Sequence, residues 1–256
     1  MMRSPLPLAL VVLACFSNAA LAAASLPTTM QHFEVRLAEP KLPPNSPQGQ
    51  TKEYWRVGNS MGRVKEAKDT AHNVQMEMLL LPPDFWQIDL VAKKATHITG
   101  SDKKEMHMAV FGGVPTDNPE TAKTIKELEF GKELEFFKSH KAKKETKKNA
   151  SGKTIDEYVL PLDKTVFLLD TDPKTNNPQR VGFTFDGKTI ALEYSKYETI
   201  PYQESTFKPP ADLNVKTVSQ DELKKQRAAQ EEALIKKLTE MHKKDASPAK
   251  PSEPQK

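Results

Sequence analysis

Cysteine is nearly absent from this chain: Cys15 is the only one in 256 residues. A lone cysteine excludes an internal disulfide, so an ordinary core must hold the fold together. Long apolar runs are scarce as well. The longest is residues 6–16 (LPLALVVLACF), well short of the ~20 apolar residues of a spanning helix. No G-x-S-x-G, H-E-x-x-H, P-loop or G-x-G-x-x-G occurs, which removes several familiar catalytic and nucleotide-binding signatures. The six histidines are scattered, and none pairs with another at helical ligand spacing. The net charge of +4 is modest and the signs are mixed, unlike the clustered basic surface of a nucleic-acid binder. These absences describe a protein that is not an enzyme, carries no cofactor and binds no nucleic acid.

What is present begins at the N-terminus. Arg3 is the only charge among the first 25 residues, the apolar run follows, and residues 17–24 (SNAALAAA) are small. A positive n-region, a short h-region and an A-x-A site make a secretory signal over residues 1–24. Cleavage after Ala22 would leave a soluble periplasmic chain. Alternatively, Val12-Leu13-Ala14-Cys15 reads as a lipobox, and Cys15 would become a lipid-modified N-terminal anchor. The mature chain contains no transmembrane segment.

Hydrophobic residues make up only 37% of the chain, because residues 141–153 and 221–256 are very polar. The remainder reads mostly as strands. Phe33, Val35 and Leu37 alternate with Glu34 and Arg36, and prolines at 40, 43, 44 and 47 then force an extended linker. Residues 53–57 and 61–65 flank a Gly-Asn-Ser turn. Val74, Met76, Met78 and Leu80 alternate with Asn73, Gln75 and Glu77, and Trp86, Ile88 and Leu90 alternate with Gln87 and Asp89. Residues 94–98 and 105–111 form a further strand pair. Such regular alternation predicts an antiparallel sheet with one buried and one wet face.

Residues 118–140 break the period. Asn118 or Asp117 caps a helix that begins at Pro119, with Ile125, Leu128, Phe130, Leu134 and Phe137 facing the core. Gly131 kinks or splits it, and Lys126, Glu133 and Lys138 take the wet face. The lysine-rich residues 141–153 are a loop or hairpin tip. Strands return at 157–160 and 165–170, and Asp186-Gly187 joins two alternating runs into a hairpin over 179–196. Ser219 and Glu222 form a capping box for a helix over 220–243, and residues 246–256 are a Pro/Ser/Lys tail. The chain thus divides into a signal (1–24), an N-terminal strand and linker (25–50), a β-rich domain (51–217), a charged helix (218–245) and a tail (246–256).

Three constellations bear on function. Asp170-Thr171-Asp172 looks like the start of a calcium loop, but it lacks the turn glycine and closing glutamate. It reads instead as a turn whose Asx side chains bond backbone N–H groups. Met76 with Met78, and Met106 with Met108, offer thioethers of the kind that hold Cu(I). They equally make a plastic apolar face, and His107 points away from its two flanking methionines. Trp55, Trp86, Ile88, Leu90, Phe183 and Phe185 form either a sheet face packed on the 118–140 helix or an unfilled concave surface.

Several segments together resemble the LolA-like superfamily of periplasmic lipoprotein carriers, the outer-membrane lipoprotein-sorting proteins. They are Tyr54-Trp55-Arg56-Val57, the run from Asp84 to Leu90, Asp172-Pro173-Lys174 leading into the Val181–Tyr194 hairpin, and the closing Phe207-Lys208-Pro209-Pro210. The resemblance implies an α+β, mostly β fold: a strongly curved antiparallel sheet, an unclosed barrel covered by a helical segment. The polar C-terminal helix is an addition on its surface. It also implies a cavity for lipid or lipoprotein acyl chains; the candidate lining, taken from the strand faces that alternation sets up rather than from the resemblance, is Met76, Met78, Trp86, Ile88, Leu90, Met106, Met108, Phe183 and Phe185. Two other readings remain. One is an envelope interaction or sensor protein with a filled core, meeting a protein partner through residues 218–256. The weaker one is a periplasmic copper-binding protein.

Overall fold

The computed structural model describes residues 27–38 and 49–245, except 101, 103, 113 and 115. The signal segment with Cys15, the proline-rich linker and the 246–256 tail lie outside the described residues. The strands are β1 (Thr29–Leu37), β2 (Lys52–Val57), β3 (Met61–Lys65), β4 (Met76–Leu81), β5 (Asp84–Asp89) and β6 (Lys94–Thr99). They continue as β7 (Lys143–Lys148), β8 (Thr154–Leu162), β9 (Thr165–Thr171), β10 (Pro178–Phe185), β11 (Lys188–Pro201) and β12 (Asn214–Ser219). Helices α1 (Pro119–Ile125) and α2 (Glu133–Ser139) interrupt the strands, a 3-10 turn spans Glu204–Phe207, and α3 (Gln220–Asp245) follows β12.

Among the described residues the strands form one curved, unclosed sheet, ordered β12-β6-β5-β4-β3-β2-β1-β11-β10-β9-β8-β7. The mostly β class and the unclosed curvature agree with the expectation. The first strand of the chain lies well inside the sheet, between β2 and β11. Asp186 and Gly187 both take positive φ, 49° and 70°, as a two-residue hairpin turn requires, and β10 and β11 pair around them.

The main core lies between the sheet and the α1–α2 segment. Phe33, Leu128, Phe137, Phe167, Leu169 and Val181 are fully buried there. Asn118 caps α1, its side chain accepting from the N–H groups of Glu120 and Thr121. The helical segment is split in two at the expected glycine. Gly131, at φ 85°, turns the chain between them, and a Cβ there would lie 2.6 Å from Gln31 Oε1. Only glycine fits both the angle and the approach.

Five expectations need correction. The reverse face of the sheet is not simply wet. Leu79, Ile88 and Ala95 form one buried cluster there, and Met30, Val57 and Phe207 form another. Glu77, expected to be solvated, is fully buried on that face against Arg63, with a 2.6 Å ion pair. Glu133, expected on the wet face of a helix, is buried against Tyr194. Residues 105–111 form no strand, and only Ala109 bridges to Glu129. The lysine-rich excursion is largely an edge strand, β7, and only its turn at 149–152 is a hairpin tip.

The sheet is also not wholly antiparallel, since β12 pairs parallel with β6. After β11 the chain crosses the reverse face. Phe207 packs with Met30 and Val57, Arg63 Nη1 donates to the Thr206 carbonyl at 2.9 Å, and Leu213 packs on the Leu79 cluster. A crossover of this kind delivers the last strand to the far edge in the parallel sense.

Candidate functional site

A pocket of 260 Å³, with an apolar floor and an otherwise largely polar lining, opens at the β4–β6 end of the helix-covered face. Its floor follows from strand register. Leu80 on β4 lies opposite Phe85 on β5, and Phe85 lies opposite Ile98 on β6, so all three share one face. Met106 closes one side. Its N–H donates to the Asn59 carbonyl at 2.8 Å, and Asn59 Nδ2 donates to Glu105 at 3.0 Å, which ties this segment to the β2–β3 turn. Gly62 on β3 makes room: a Cβ there would lie 2.1 Å from Met106 Sδ and 3.0 Å from Met108 Sδ. On the other side Ser219 Oγ accepts from the Glu222 N–H, starting α3 so that Gln220 and Leu223 border the pocket. The mouth is polar, with Asp84, Glu105 and His107.

His107 also borders a broader groove of mixed charge, lined by Lys123, Lys126 and Lys132 together with Glu127, Glu129 and Glu135. His107 Nδ1 lies 2.6 Å from one oxygen of Glu129, whose other oxygen accepts from Arg56 Nη2 at 2.6 Å. Arg56 is fully buried. It also donates to the carbonyls of Gly58 and Phe130 and to Asn59 Oδ1. Burial pushes the Glu129 carboxyl up, but hydrogen bonds from Arg56 and His107 outweigh it and hold the group below its usual range. Deeper in, Glu133 accepts from Tyr194 Oη at 2.5 Å and from the Gly131 N–H at 2.9 Å. Burial nevertheless keeps its carboxyl above the usual range, and burial together with the neighbouring Glu133 raises the Tyr194 phenol well up.

The candidate lining divides between the two faces. Met78, Met106, Met108, Phe183 and Phe185 lie on the helix-covered face, within or against the main core. Phe183 packs edge-on against Phe111 with centroids 5.0 Å apart. Met76 lies apart in a shallow groove with Gln87, Asp89 and Lys94. Trp86, Ile88 and Leu90 belong to the reverse face. Ile88 is fully buried there and Trp86 stacks on His97 at 4.0 Å. Of the nine, only Met106 lines the 260 Å³ pocket. Leu80, Phe85 and Ile98 join it through strand pairing, which single-strand periodicity does not reveal; Leu223 joins it through the start of α3. His107 points away from Met106 and Met108, as expected: it is more than half exposed while both methionines are buried. Asp172 Oδ1 accepts from the N–H groups of Lys174 and Thr175, so that segment is the expected Asx turn.

No family model matches the chain, and no curated protein matches it in sequence. Several solved structures resemble it in outline. A conserved protein from Thermus thermophilus is 11% identical with a TM-score of 0.43, over 75% of this chain and 91% of that one. A chain of the Pseudomonas aeruginosa MucA/MucB complex is 13% identical with a TM-score of 0.39, over 74% of this chain and 59% of that one. PNGF-II is 10% identical with a TM-score of 0.35, and only 33% of its chain is covered. These are likenesses of outline, and neither binding nor partnership follows from them.

Proposed function

We propose that this chain is an exported periplasmic protein of LolA-like type that catalyses nothing and binds one acyl chain of a lipid or lipoprotein. The observation that carries this reading is the 260 Å³ pocket in which Leu80, Phe85, Ile98, Met106 and Leu223 supply the apolar walls and Asp84, Glu105, His107 and Gln220 the polar ones. Its size lies just under the ~300 Å³ at which small-molecule sites begin, which suits a single chain rather than a multiply acylated anchor. About eight buried methylenes contribute roughly 6 kcal/mol at ~0.8 kcal/mol each. Met106 lets the wall adapt to chain shape. In the adjoining groove Lys123, Lys126 and Lys132, set among Glu127, Glu129 and Glu135, are the cations open to an anionic head. Copper handling loses support, because Met76 faces Gln87 and Asp89 rather than the sulfurs of Met106 and Met108.

The test is native mass spectrometry of protein purified without detergent, then incubated with lauric or palmitic acid. One-to-one adducts are expected, and Phe85→Glu and Leu223→Glu remove them while circular dichroism stays unchanged. A spectrum that remains free of adducts overturns the reading. The second reading, an envelope interaction protein, then takes its place. It is favoured by the filled main core and by α3, where Ile235 is 63% exposed.

A further inference from the structure

On the reverse face of the sheet, His32, Glu34 and Glu53 bring one imidazole nitrogen and two carboxylates within 4.8 Å of one another. Strand register makes this cluster. His32 and Glu34 are two apart on β1 and point to the same face, Glu53 on β2 lies directly opposite Glu34, and Glu198 on β11 lies directly opposite His32. We propose that this cluster is a binding site for a divalent cation of the zinc class, with His32 Nε2, Glu34 and Glu53 as ligands and a fourth position open.

Four observations support the assignment. First, the imidazole is fixed. His32 is 6% exposed and its ring stacks on Trp55, with centroids 5.0 Å apart and planes 7° apart. Second, the ligands have an orienting shell. Glu198 Oε1 lies 3.1 Å from His32 Nδ1 and Glu53 Oε1 lies 2.9 Å from Nε2, so a proton held on Nδ1 by Glu198 would leave the Nε2 lone pair for an ion. A carboxylate on the far nitrogen of a ligating histidine is the common outer-shell arrangement at zinc. Ser195 Oγ likewise donates to Glu34 Oε2 at 2.9 Å and so fixes that carboxylate. Third, the charge is favourable. Glu34, Glu53 and Glu198 gather on this face, with Lys196, 3.0 Å from Glu198, and Lys65, directly opposite Glu53 on β3, as the neighbouring ammoniums. Three carboxylates against two ammoniums leave an excess of negative charge at the cluster. Fourth, the reach is small. Ligands at ~2.1 Å around a tetrahedral ion lie about 3.4 Å apart, so the 2.9 Å between His32 Nε2 and Glu53 need only open by about 0.5 Å, and Glu53, with a third of its side chain exposed, has freedom to move that far. An imidazole among the donors favours zinc over magnesium or calcium, which take oxygen ligands.

The competing arrangement has no ion. The two ring nitrogens then simply hydrogen-bond Glu53 and Glu198, both partly exposed. Isothermal titration of the purified protein with zinc chloride in a buffer free of chelators separates the two. One ion per chain is expected, lost in Glu34→Gln and in His32→Asn. Glu198→Gln should keep the stoichiometry and weaken binding about 10- to 100-fold. Glu34 is only half-buried, so its variant tests the site even where His32→Asn fails to fold. Zinc-edge absorption should report a first shell of one nitrogen with oxygens. Absence of uptake overturns the proposal. So does uptake that Glu34→Gln leaves intact, since the ion would then sit elsewhere.

Discussion

At the scale of single residues, the buried polar groups beneath α1 and α2 carry the largest consequences. Arg56 is enclosed, and its partners are Glu129, the Gly58 and Phe130 carbonyls and Asn59. Removing one member of a buried ion pair strands the other, at a cost of about 3–5 kcal/mol. Arg56→Met should therefore lose that much in urea unfolding. The Arg56→Met/Glu129→Met double variant should recover part of the loss, because no charge is then left unpaired. Glu133 behaves in the opposite sense. Its folded carboxyl titrates above the usual 4.5 because burial disfavours the charged form. The folded state thus holds this proton more tightly than the unfolded chain, and the associated stability is full below 4.5 and is lost as pH rises through the folded value. Glu133→Gln keeps an acceptor for Tyr194 and removes the charge. It should raise the melting temperature at neutral pH, and its advantage should shrink as the pH falls toward the usual carboxyl value of 4.5.

At the scale of elements, β7 guards an open edge. A curved sheet that does not close presents unpaired backbone at both outer strands, and bare edges recruit other chains. Every residue of β7 (KKETKK) is exposed. Lys144 pairs with Asp156 and Lys147 with Glu157, holding β7 to β8. Lys143, Glu145 and Lys148 are the other charges on this edge. Replacing these three by threonine should leave the melting temperature within a few degrees and produce concentration-dependent association in sedimentation velocity. Monodisperse sedimentation would show that another feature protects the edge.

At the scale of the whole molecule, α3 is an appendage that borders the pocket only with its first turn. Its contacts with the fold run through β12, and along the helix the described side chains beyond Leu223 are exposed. Truncation after Ser219 should therefore lower the melting temperature only slightly. The same truncation removes Gln220 and Leu223 from the pocket and should weaken fatty-acid binding at least tenfold in a fluorescent displacement assay. Equal affinity in the truncated and intact chains would place the acyl chain elsewhere.

The local elements were legible in the sequence because their causes are local. Alternation marked β1, β4, β5, β10 and β11, the Gly58-Asn59-Ser60 turn marked β2 and β3, Asp186-Gly187 marked the hairpin, Asn118-Pro119 marked the start of α1, and Ser219 marked the start of α3. A period of two shows that Met78 and Leu79 oppose one another, but not what covers each side. That was decided by distant segments. The 202–213 crossover and the Leu79 cluster bury the reverse face and take Glu77 with it. The turn at Gly131 rotates Glu133 inward to Tyr194. The candidate pocket and the histidine–glutamate cluster depend on the same long-range order. Leu80, Phe85 and Ile98 meet across three strands, and His32 meets Glu53 and Glu198 only because β1 inserts between β2 and β11. Sequence spacing fixes which side of its own strand a residue takes; only strand pairing across 21 and 166 positions of chain decides which residues become neighbours.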